Sequence, residues 1–205
     1  DCLTLCDPAH AYTVDEHHFS TIGHLNKLRN GAYKTEVPKI HKVASNMSEG
    51  NFKTVYLAMF LHDAAKGRSG DHTENIGPII RDMASRFELS DAETDTAVWI
   101  GEQHLLLYNM SHLPYRSSLK TSQRLIDQLG TKRRLDMLMI ATVCDAKAAG
   151  PGRRADSLSL GGLEDLYGYA KQIIHGVELP EEYESGEDFI SVTTVSYTHL
   201  TLPTT

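Results

Sequence analysis

Seven mostly apolar residues, Val55-Tyr-Leu-Ala-Met-Phe-Leu61, run directly into His62-Asp63, and the chain continues Ala-Ala-Lys66-Gly-Arg. A continuous apolar run is suited to burial. A carboxylate carried inside with it costs several kcal/mol, roughly, unless it is paired, hydrogen-bonded or metal-bound. An imidazole and a carboxylate side by side at such a point read as a metal-ligand pair. Asp145 poses the same problem. It follows Leu135-Asp-Met-Leu-Met-Ile-Ala-Thr-Val-Cys144, with Leu138 and Ala141 on its own helical face. A salt bridge to Arg or Lys is the alternative reading for Asp145. His104 follows Ala97-Val-Trp-Ile100 and precedes Leu105-Leu-Leu107, where a satisfied core histidine would also fit. His72 follows Asp71 at a helix start, where a surface cap would also fit. His17 or His18 would join the others if its helix packs beside theirs. Histidine and carboxylate donors gathered in a helical bundle suit Mn, Fe, Mg or Zn rather than a thiolate metal site.

The elements that must position these residues are helical. Thr13-Val-Asp-Glu16 is a capping box, opening a helix to about Arg29 with Asn30-Gly31 as its stop. A short helix fits Pro38 to about Ala44. Asn51 can cap a helix Phe52–Ala65, which carries His62-Asp63. Gly67-Arg-Ser-Gly70 is a tight loop, and Asp71-His-Thr-Glu74 is a second capping box. Pro78 predicts a kink or restart before a helix to about Phe87. Ser90-Asp-Ala-Glu93 opens a helix to about Leu106, and Tyr108–Ser118 reads as loop. Thr121–Leu129 is a short helix, Thr131 caps a long apolar helix Lys132–Ala149, and Leu163–His175 is the last. No segment shows strand periodicity and no repeat is present. The fold class is all-α, a bundle of about six to eight helices.

Composition limits the function classes. The 205 residues allow one domain with a full core, with hydrophobic content of 40% and charged content of 23%. A net charge of −7 argues against a general nucleic-acid binder. No apolar run reaches the roughly 18 residues of a membrane span, and no secretory segment is visible. Three cysteines fit a reducing, cytoplasmic setting better than a disulfide scaffold. Cys2 and Cys6 form only a weak candidate metal pair. The chain starts at Asp1 without a methionine and is expected to be a fragment. Residues 195–205 resemble a translated sequencing-library adapter and stand outside the fold, and 177–194 read as an acidic linker after a domain spanning 1–176.

The order His … His-Asp … Asp resembles the HD-domain superfamily of metal-dependent phosphohydrolases. Four blocks are similar to the central, uridylyl-removing domain of the bifunctional PII uridylyltransferase family. They are His10-Ala-Tyr-Thr-Val-Asp-Glu-His17, Leu61-His-Asp-Ala-Ala-Lys-Gly-Arg-Ser-Gly-Asp-His72, Gln103-His-Leu-Leu106 and Thr142-Val-Cys-Asp145. The resemblance implies an HD-type bundle in which His17, His62, Asp63 and Asp145 hold a divalent metal. His17 is preferred to His18 because it closes the Asp-Glu-His pattern. His72 and His104 match positions for a second ion, which makes one or two ions of Mn or Mg, with Fe or Zn as alternatives. Asp63 and Lys66 are the catalytic candidates. Lys66 would meet a phosphate oxygen, and its alternative is a lysine solvated at a helix end. The implied substrate is a uridylyl-tyrosine linkage on the PII signalling protein, released as UMP. The expected partner is therefore PII, with no nucleic acid and no membrane, and the oligomeric state is left open. Neither a nucleotidyltransferase motif nor a ferredoxin-like ACT pattern is found, so this fragment is expected to remove UMP and not to attach it. The competing readings are an HD hydrolase of free nucleotides and a non-catalytic helical module that docks PII.

Overall fold

Thr13 opens the first helix, α1 (Val14–Arg29), through a reciprocal cap. The Glu16 N–H donates to Thr13 Oγ1 at 3.3 Å, and the Thr13 N–H donates to the Glu16 carboxylate at 3.3 Å. Gly31 follows with φ +89°, the left-handed conformation that ends the helix cheaply only at glycine. The computed structural model describes residues 12–111, 119–150 and 160–175. After α1 come α2 (Pro38–Ser45), α3 (Glu49–Leu61), α4 (His72–Ala84), α5 (Asp91–Gln103), α6 (Leu106–Ser111), α7 (Leu119–Leu129), α8 (Lys132–Ala148) and α9 (Leu160–Ile174). One 3-10 turn, Ser85–Phe87, follows α4. The architecture is all-α, with no strand among the described residues. Cys2, Cys6, His10, the linker at 177–194 and the terminus at 195–205 lie outside the described residues.

Six local expectations are corrected. α3 begins at Glu49, because Ser48 and not Asn51 takes the extended capping conformation and accepts the Asn51 N–H. It stops at Leu61, so His62 to Lys66 lie in a turn and not in the helix. At the start of α4 Asp71 caps alone, accepting from the Thr73 N–H at 2.8 Å. α4 continues through Pro78. Pro78 and Glu74, whose carbonyl loses its partner there, both lie on the exposed face, where water can replace the missing bond. α5 ends at Gln103, and residues 106–111, read as helix end and loop, form α6, which raises the count to nine among the described residues. α9 also begins three residues early, at Leu160.

α8 is the central element. It packs against α1, α2, α3, α5, α6, α7 and α9. From Leu135 onward nearly every residue of it is buried, as expected for a helix that is apolar on all sides. Of the buried polar residues inside that stretch, Thr142 donates to the Leu138 carbonyl at 2.8 Å, and Asp145 belongs to the site described below. α5 crosses α4 closely at Gly101, where an added Cβ would stand 2.6 Å from Ile80 Cδ1. No described helix is long and apolar enough to cross a membrane.

One buried carboxylate serves the fold rather than the site. α2 starts with Val37 and Pro38 and has no side-chain cap of its own. Glu164 of α9, 6% exposed, supplies it from across the bundle. Its Oε1 accepts from the Ile40 N–H at 2.9 Å and its Oε2 from the Lys39 N–H at 3.2 Å. Charge at a helix start and bonding to orphan N–H groups both favour this contact. Glu164→Ala is expected to destabilise the protein by about 2 kcal/mol, the cost of unsatisfied buried donors. Chemical denaturation with Glu164→Gln as the milder variant checks this, and an unchanged midpoint for Glu164→Ala would contradict it.

Candidate metal centre

Beyond Leu61 the chain leaves α3 through a tight turn, with Ala64 N–H donating to Leu61 O at 2.7 Å and Lys66 N–H to Asp63 O at 2.9 Å. This turn buries both members of the pair, His62 at 0% exposure and Asp63 at 1%. It also brings Lys66 back over Asp63, with Nζ 2.8 Å from Oδ2. The Lys66 side chain is only 10% exposed and is therefore not a solvated helix-end lysine.

His17 and Asp145 arrive from α1 and α8, which pack on each other and on α3. His17 Nε2 lies 3.1 Å from His62 Nε2, 2.9 Å from Asp145 Oδ1 and 3.8 Å from Asp63 Oδ2. His62 Nε2 lies 3.3 Å from Asp145 Oδ1 and 3.5 Å from Asp63 Oδ2. Asp63 Oδ1 faces a different pair, His72 Nε2 at 3.4 Å and His104 Nε2 at 3.7 Å. The close approach of α4 and α5 at Gly101 sets His72 and His104 side by side, with ring centroids 5.6 Å apart. All seven candidate site residues from the sequence thus meet in one place. His24, also near motif-like sequence, does not join them; its Nδ1 pairs with the Tyr33 hydroxyl at 2.5 Å.

The hydrogen bonds fix how the rings present themselves. His62 Nδ1 bonds the Met59 carbonyl at 2.8 Å, and His104 Nδ1 bonds the Gly101 carbonyl at 2.7 Å. A carbonyl only accepts, so each Nδ1 carries a proton, and a ring in its neutral form points a bare Nε2 at the carboxylates. This backbone anchoring is the arrangement that orients metal-binding histidines. Burial, and then the neighbouring His62, pushes His104 down to about 3. Burial alone would raise the Asp63 carboxyl, but His62, Lys66 and His104 outweigh it and hold it well below the usual range. Burial likewise opposes charge on His62, yet Asp63 and Asp145 outweigh it and the net shift is upward. A proton on His62 would quiet its contact with Asp145. It would leave His72 and His104 with buried Nε2 atoms that carry no hydrogen bond. A divalent cation satisfies both groups of donors, so the residues fit a metal.

Two buried triads have ligand atoms mutually within 4.8 Å: His17, His62 and Asp145, and His62, Asp63 and His104. His62 belongs to both but has one lone pair available, so it can serve one ion. A second ion would draw on His72, His104 and the outer oxygen of Asp63. Between His17 and His18 the geometry discriminates. His17 Nε2 lies in the cluster, whereas the His18 ring stands 5.3 Å from His62 and lines an adjoining cavity beside Phe60. Burial, and then His62, lowers His18 to about 3, which keeps it neutral. The sequence offers His18 only as the rival to His17, because two adjacent histidines on a helix leave one ligand position to fill.

No family model matches the chain. It is similar to a bifunctional uridylyltransferase/uridylyl-removing enzyme of Azospirillum brasilense, with 33% identity over 177 residues and 83% of this chain covered. It is also similar to an enzyme of the same description from Erythrobacter litoralis, with 36% identity over 147 residues and 70% of this chain covered. The chain spans 18% and 15% of the lengths of these two relatives.

The cluster makes metal binding a stability term, because an ion that binds only the folded state stabilises it by mass action. Mn2+ at about 100 times its Kd is expected to raise the melting temperature by about 5–10 °C. Asp145→Asn should remove most of that rise while helix content persists. Thermal melts followed by circular dichroism read both, and a wild-type melt indifferent to Mn2+, Mg2+, Fe2+ and Zn2+ would contradict the site.

Proposed function

We propose that this chain, which belongs to the family of bifunctional uridylyltransferase/uridylyl-removing enzymes, is an HD-type metal-dependent phosphodiester hydrolase that removes uridylyl groups from the PII signalling protein. The observation that carries this reading is the division of Asp63, whose two oxygens face two separate sets of buried histidines. Such a divided carboxylate suits a centre holding one or two divalent ions, its carboxylate oxygens suiting Mn or Mg and its imidazole nitrogens Fe or Zn.

The chain's own residues have distinct tasks. His17, His62, Asp63 and Asp145 would hold the first ion, and His72 and His104 a second. When bound, such an ion supplies Lewis-acid polarisation of the phosphoryl group and lowers the pKa of a water toward neutrality. The Met59 and Gly101 carbonyls keep His62 and His104 in the tautomer that leaves Nε2 bare. Asp63 stays ionised because Lys66 and the histidines surround it. Lys66 borders the adjoining cavity together with Asp63. From there its ammonium can meet a phosphate oxygen as a point charge. The apolar residues of α3 and α8 behind the cluster exclude bulk water and strengthen each of these interactions.

The test is release of UMP from uridylylated PII against a panel of free nucleotides, with and without Mn2+. The expected result is metal-dependent UMP release from the protein substrate, absent in Asp63→Ala. Lys66→Ala should lower kcat/KM about 100-fold, the usual worth of a charge-stabilising contact. Hydrolysis of free nucleotides alone would replace the substrate in this reading, and activity retained by Asp63→Ala would overturn it.

A further inference from the structure

Next to the cluster lies a cavity of about 240 Å³ that the ligand set does not use. Val14, Phe60 and Ala64 give it an apolar wall, and Asp63 and Lys66 stand where it meets the centre. His18 is the remaining lining group of interest. It is 7% exposed, and its Nε2 is buried without a hydrogen bond. A buried polar atom left in this way normally marks a missing partner. The ring packs against Phe60 at 6.4 Å between centroids, and Phe60 is braced edge-on by Phe19 at 5.9 Å.

We propose that this cavity receives the uracil ring of the uridylyl group and that His18 is a specificity residue that hydrogen-bonds the polar edge of the base. The proposal rests on the hydrolase reading given above. Two aromatic groups flank the phosphodiester in a uridylyl-tyrosine linkage, and the cavity chemistry separates them. The tyrosyl phenol has its one oxygen committed to phosphorus, so the rest of its rim is carbon and offers His18 nothing. Uracil presents an N–H flanked by two carbonyls on the same rim. A neutral imidazole can donate or accept, and Asp15, which also lines the cavity, accepts only. A planar ring between Val14 and Phe60 would meet both while its phosphate stays beside Asp63 and Lys66.

The test is calorimetric binding of UMP, ribose 5-phosphate and phenyl phosphate to the full chain in Mn2+ buffer. Wild type should bind UMP about tenfold or more tightly than ribose 5-phosphate, the worth of one buried hydrogen bond plus ring burial. His18→Ala should bring UMP to the ribose 5-phosphate level. His18→Phe keeps the ring against Phe60 without a nitrogen and should lose the same preference; its ribose 5-phosphate binding shows that the site is folded. A wild type with no UMP preference, a UMP preference that survives both substitutions, or phenyl phosphate binding as tightly as UMP would each overturn the proposal. Hydrolysis of a bis-aryl phosphodiester by the wild type is measured alongside. Activity there without a UMP preference sinks the base pocket alone, and no activity with any phosphodiester sinks the hydrolase reading beneath it.

Discussion

Everything in this molecule follows from two carboxylates held where water cannot reach them. Asp63 is 1% exposed and Asp145 2%, and four histidine nitrogens face them inside 4 Å. Ionised carboxylates in such a place are strongly penalised unless a compensating charge is present. Lys66 provides one such charge, on one oxygen of Asp63. The remaining donors converge on space that a divalent cation is suited to fill.

The bundle meets the demand by delivering ligands from several elements onto one point. α8 brings Asp145 through the core. α1 lies on α8 and α3 and brings His17, while the turn after α3 turns His62 and Asp63 inward. α4 and α5 cross closely at Gly101 and add His72 and His104 as a second tier. Anchoring of His62 and His104 on backbone carbonyls means that ring orientation is set by the helix ends themselves.

The parts legible in the sequence were those with a local cause. The capping boxes at Thr13 and Ser90 are complete within four residues, and both helices start where those residues dictate. The His62-Asp63 pair was legible because an apolar run ending in a carboxylate is a physical contradiction until a partner is found. Less legible were features decided by distant contacts. Glu164 reads as an ordinary exposed helix acid, yet it caps α2 from 124 residues away along the chain. Pro78 reads as a kink or restart, but the carbonyl it frees belongs to exposed Glu74 and α4 runs on without restarting. The separate positions of His17 and His18 depend on how α1 is rotated against α3, which adjacent identical residues cannot reveal.

The most direct measurement is anomalous diffraction at the manganese edge from crystals of the chain grown with Mn2+. The account predicts a peak among His17 Nε2, His62 Nε2, Asp63 Oδ2 and Asp145 Oδ1, with any second peak on the side of His72 and His104. Manganese bound only elsewhere, with the His62 to Asp145 contact intact at hydrogen-bond distance, would contradict it.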